Sequence, residues 1–63
     1  MKKTDVIHRF MAAMPSGKMF EFQANRVEFE EGFTRFYIEE ADGTMRLMAH
    51  VPSDYYIQRL SSL

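Results

Sequence analysis

Between Val27 and Val51 apolar and polar residues alternate with a period of two, and the alternation breaks only where a glycine sits, at Glu31-Gly32 and Asp42-Gly43. That pattern belongs to antiparallel strands joined by tight turns. Asp-Gly favours a two-residue hairpin loop, because both loop residues need positive φ. A loop at Asp42-Gly43 sets Ala41 opposite Thr44, Glu39 opposite Arg46, Ile38 opposite Leu47 and Phe36 opposite Ala49. A loop at Glu31-Gly32 sets Phe29 opposite Thr34 and Val27 opposite Phe36, with Glu28 meeting Arg35 and Arg26 meeting Tyr37. Both assignments gather Thr34, Phe36, Ile38, Met45, Leu47, Ala49 and Val51 on one face. A slip of one residue would turn that face to water.

The flanking segments read differently. From about Thr4 to Met14, the residues Val6, Ile7, Phe10, Met11 and Met14 fall on one side of a helix, with His8, Arg9 and Ala12 turned away. Thr4 suits the N-cap and Asp5 the positive end of the helix dipole, while Lys2 and Lys3 form a solvated end. Pro15-Ser16-Gly17 stops this helix. Lys18 to Ala24 alternates as a first strand, and an Ala24-Asn25 turn would set Phe22 opposite Val27, Phe20 opposite Phe29 and Glu21 opposite Glu28. After the strand Thr44–Val51, Pro52 ends the pairing and Ser53 reads as the cap of a closing helix. Asp54 would stand in that helix's first turn, and Tyr56, Ile57, Leu60 and Leu63 would form its apolar side. The expected fold is α+β, in the order αββββα: a four-stranded antiparallel meander with two short helices packed on one face.

A chain of 63 residues makes one domain, residues 1–63. It has no cysteine, which excludes disulfides and thiolate zinc sites. No apolar run is long enough for a signal peptide or a membrane span, so a soluble cytoplasmic protein is expected. Eight basic residues against nine acidic ones argue against bulk-charge binding to nucleic acid.

No motif carries chemistry. Met14-Pro15-Ser16-Gly17-Lys18 resembles the end of a phosphate-binding loop, but Ala12 stands where an earlier glycine belongs and Met19 where the magnesium-binding hydroxyl belongs. It is read as a turn. His50, Ser53 and Asp54 have the residue types of a nucleophilic triad, yet they crowd a strand end where Ser53 and Asp54 suit capping. His8 and His50 lack ligand partners at metal-binding spacing. Glu28, Glu30, Glu31, Glu39 and Glu40 are dispersed over strands and turns, and cross-strand pairing accounts for Glu28 and Glu39. No catalytic residue, metal or cofactor is expected.

What remains is surface. The registers place Arg26, Phe33, Arg35, Tyr37, Arg46, Met48 and His50 on the open face of the sheet, with Glu21, Glu28 and Glu39 among them. Tyr, Arg, Phe and Met are enriched at interface centres. The six methionines add adaptable contacts, Met48 and Met19 being the candidates for exposure. The leading expectation is a small non-enzymatic protein-interaction module, a regulator or inhibitor docking its open face or last strand on a larger macromolecule. Small phage and mobile-element proteins that block host machinery often have this format. A single-stranded nucleic-acid-binding module is the alternative, with bases stacking on Phe33, Arg35 and Tyr37. The strand Thr44–Val51 holds no proline or lysine to discourage edge pairing, so a homodimer through it is also expected.

Overall fold

The computed structural model describes residues 6–62. Six strands form in chain order: β1 (His8–Ala13), β2 (Met19–Ala24), β3 (Arg26–Glu30), β4 (Phe33–Glu39), β5 (Met45–Pro52) and β6 (Tyr56–Ser62). They make two three-stranded antiparallel sheets, ordered β2-β1-β6 and β3-β4-β5. No helix occurs among the described residues, hence none long and apolar enough to cross a membrane.

The αββββα expectation is therefore corrected at both ends. The first segment is strand β1, flanked on both sides by β2 and β6. Its apolar residues lie on both faces, Phe10 and Ala12 on one and Met11 and Ala13 on the other, and such a run mimics helical spacing. Tertiary pairing decides the outcome, because a helix this short is marginal in water. The closing segment is β6, where the aromatic and β-branched pair Tyr56-Ile57 fits a pleated surface. Ser53 caps nothing; it lies in a turn closed by the Tyr55 N–H donating to the Pro52 carbonyl at 3.1 Å. The expected roles of Lys2, Lys3, Thr4, Asp5 and Leu63 lie outside the described residues.

The four-strand meander is corrected as well. Ala24-Asn25 is a bend and not a hairpin: β2 pairs with β1, so Phe22 faces Phe10, Phe20 faces Ala12 and Glu21 faces Met11. Asn25 holds this corner. Its N–H donates to the Tyr37 carbonyl (2.9 Å), its Oδ1 accepts from the Glu39 N–H (2.7 Å), and its Nδ2 donates to the Glu39 carbonyl (3.3 Å). Chain direction changes there, and the run β2–β3 passes from one sheet to the other. The phosphate-loop look-alike is the β1–β2 turn, with the Met14 N–H donating to the Lys18 carbonyl at 2.7 Å and Gly17 at positive φ.

The Glu31-Gly32 hairpin has the expected register, from Arg26 opposite Tyr37 to Glu30 opposite Phe33. The next hairpin differs. The Glu40 N–H donates to the Thr44 carbonyl and the Gly43 N–H to the Glu40 carbonyl, so the loop holds three residues, Ala41-Asp42-Gly43. Glu39 consequently faces Met45, Ile38 faces Arg46 and Tyr37 faces Leu47. Met48 is then an extra residue, after which Phe36 faces Ala49 as expected.

The two sheets meet around Phe36, which is 2% exposed. Its ring lies 4.7 Å from Phe22 and 5.0 Å from Phe10, the former edge to face. Ala12, Ala24 and Val51 complete this cluster, and Ile38 and Thr34 are buried beside Phe36 on β4. The core is thin: the radius of gyration is 12.4 Å, against about 10–11 Å for a compact chain of this length.

A candidate docking face on the second sheet

Strand alternation turns Thr34, Phe36 and Ile38 inward and Phe33, Arg35, Tyr37 and Glu39 outward along β4. Cross-strand pairing builds three outward rows: Arg26, Tyr37 and Leu47; Glu28, Arg35 and His50; Glu30, Phe33 and Pro52. Of the seven residues singled out from the sequence, Arg26, Phe33, Arg35, Tyr37 and His50 share this face. Arg46 does not join them. Below the Met48 bulge β5 is shifted by one residue, which puts Arg46 beside Ile38 and brings Met45 and Leu47 outward. Met48 itself is the unpaired, exposed residue of the bulge. Met45 and Leu47 are the contributors that sequence reading missed; the third loop residue would have revealed them.

Charge on this face is balanced internally. The Arg26 guanidinium pairs with Glu39, and Arg35 Nη1 lies 3.0 Å from Glu30 Oε2. Arg35 also sits over the Phe33 ring, 5.0 Å from its centroid, while His50 meets the same ring edge-on at 4.4 Å. Phe33 is thereby held between a cation and an imidazole. Arg46 pairs with Glu40 at 3.1 Å on the opposite side. Leu47, 54% exposed, and Met45, 40% exposed, stand beside half-buried Tyr37.

Little here can do covalent chemistry. His50 packs against Phe33, the Ser53 N–H donates to the Gly32 carbonyl at 3.0 Å, and Asp54 is exposed. Among the described residues no three His, Asp or Glu side chains could together hold a metal ion. Among the described residues the one clear electrostatic perturbation is at the β4–β5 loop, where the Thr44 N–H, and after it the Thr44 hydroxyl, holds the Asp42 carboxyl below the usual aspartate range. No protein-family model matches the sequence, and neither curated proteins nor solved structures show significant similarity to it.

Proposed function

We propose that this chain is a non-enzymatic protein-interaction module that docks the outer face of its second sheet on a larger protein. The observation that carries the reading is the presence of exposed Met45 and Leu47 on the same face as Tyr37 and Phe33, a face whose own glutamates neutralise its arginines. Exposed apolar groups framed by satisfied charges match the centre and rim of a protein interface. A module of this size acts by covering a site on its partner, as a regulator or inhibitor does.

The cluster of Arg35, Phe33 and His50 favours a second reading, a platform for single-stranded nucleic acid. It ranks below the first because Arg35 and Arg26 are already paired with Glu30 and Glu39, and Glu28 adds negative charge where phosphates would pass. A pull-down with tagged chain, run with and without nuclease, separates the two. The expected result is a nuclease-resistant protein partner whose recovery falls with Tyr37→Ala, Arg35→Glu and Leu47→Glu, each checked for fold by circular dichroism. Undiminished recovery with all three variants refutes the docking face. Recovery abolished by nuclease moves the assignment to nucleic acid.

A further inference from the structure

The second sheet has two open edges, β3 and β5, and they differ as templates. In an antiparallel ladder, hydrogen-bonded and non-bonded pairs alternate. The Glu40–Thr44 bond starts one phase of the β4–β5 ladder and the Ser53–Gly32 bond starts the other. Counting from each, Met45 and Leu47 below the bulge and His50 above it point their N–H and C=O groups to the open side. Met48 breaks the two-residue spacing, so a regular added strand can follow β5 only over Met45–Leu47. A second β5 pairing there would bring Arg46 opposite the partner's Arg46. Bulges and like charges are how sheets discourage edge pairing.

Edge β3 runs without a break from Arg26 to Glu30. By the same alternation Val27 and Phe29 turn their backbone groups outward, and Phe29 is 82% exposed although it faces buried Thr34. Its charges discriminate among registers. Self-pairing centred on Glu28 sets Arg26 opposite the partner's Glu30 twice but Glu28 against Glu28 on the axis, and centring on Phe29 sets Glu28 against Glu30 twice. Centring on Val27 alone brings no like charges together: Arg26, beside its own Glu39, also meets the partner's Glu28, twice by symmetry, and Phe29 lies against the partner's Asn25, whose N–H the Tyr37 carbonyl already holds.

We infer that a second copy of this chain adds to β3, antiparallel about a two-fold axis through Val27, joining the two sheets into one of six strands. The axis makes the patch self-complementary, and Phe29 gains the cover it lacks in a single copy. The inference uses the β3 edge and none of Met45, Leu47 or Tyr37, although Arg26 and Glu28 also lie on the docking face.

Sedimentation equilibrium on the full chain, from micromolar to millimolar concentration, is the test, paired with oxidative cross-linking of single-cysteine variants. The wild-type chain has no cysteine, so cross-links report only the introduced site. A dimer is expected whose Kd rises about ten-fold or more with Glu28→Arg, which makes both cross-axis pairs repulsive. Val27→Cys should cross-link, because residues facing each other in a bonded pair have Cα atoms about 5.5 Å apart, within disulfide reach. Leu47→Cys should not. A wild-type chain that stays monomeric throughout overturns the inference. So does a dimer that cross-links through Leu47→Cys and not through Val27→Cys.

Discussion

Phe36 is where the two sheets hold each other, and Phe36→Leu measures how much that contact stabilises. The ring is buried and touches Phe22 at 4.7 Å and Phe10 at 5.0 Å, both from the facing sheet. Leucine keeps most of the apolar burial and removes two aromatic pairs, each worth about 0.5–1.5 kcal/mol beyond area. The expected loss is thus about 1–3 kcal/mol. For a domain this small each kcal/mol lowers Tm by roughly 4–8 °C, so thermal unfolding followed by circular dichroism should show a clear drop. Full truncation would be less informative: Phe→Ala costs about 3–5 kcal/mol, comparable to the total of about 3–9 kcal/mol available to a chain of this length. A Tm within about 2 °C of wild type would refute the claim that this cluster joins the sheets, since even the low end of the aromatic term exceeds it.

Three further outcomes follow from the corners and loops. Asn25→Ala removes both side-chain hydrogen bonds to Glu39 and should cost about 1–3 kcal/mol in urea unfolding, with the sheets loosening at the bend. Gly43→Ala places a side chain at φ +92 with open space around it, so strain alone should destabilise by about 1–2 kcal/mol. Asp42→Ala tests a pH dependence: the folded carboxylate has a lowered pKa, so its contribution is present above the unfolded value of about 3.9 and disappears as pH falls through the folded one. The stability gap between wild type and Asp42→Ala should be constant near neutrality and close only in that acid range; a gap that persists below it contradicts the assignment.

The central strands were legible because their periodicity and their glycines agree. Gly32 and Gly43 take positive φ, although Glu31 and Asp42 before them do not, and the β3–β4 register followed from the two-residue loop alone. The β4–β5 register was legible only above the bulge, because Asp-Gly is compatible with a two- or a three-residue loop and local sequence does not choose between them. The ends were misread for a different reason. Val6, Ile7, Phe10, Met11 and Met14 match a helix by spacing, and nothing local says that β1 will be sandwiched between β2 and β6. Asn25 was equally opaque: a turn residue before a strand signals a change of direction, yet whether the chain folds back or crosses to another sheet depends on the long-range bonds to Tyr37 and Glu39.

The bulge at Met48 also decides what kind of partner the face suits. With a two-residue loop and no bulge, Arg46 would stand outward beside Glu39, and Met45 and Leu47 would enter the core. The outer face would then be arginine-rich and the hairpin end of the sheet well covered. One inserted residue exchanges these roles: Arg46 moves to the side of Ile38 and closes an ion pair with Glu40, while Met45 and Leu47 move to the surface. The exchange leaves two large side chains about half exposed, each forgoing roughly 1 kcal/mol of possible burial. In a domain with so few buried residues that is a large sacrifice of stability, and covering those side chains would recover part of it. A regularised β5 makes this testable. Deleting Met48 keeps Tyr37 opposite Leu47 and Phe36 opposite Ala49 with no residue between, so Leu47 stays outward and the fold should survive. The deletion should therefore retain binding of a partner that reads Leu47 and Tyr37, while a partner seated on Met48 itself would be lost in the same pull-down.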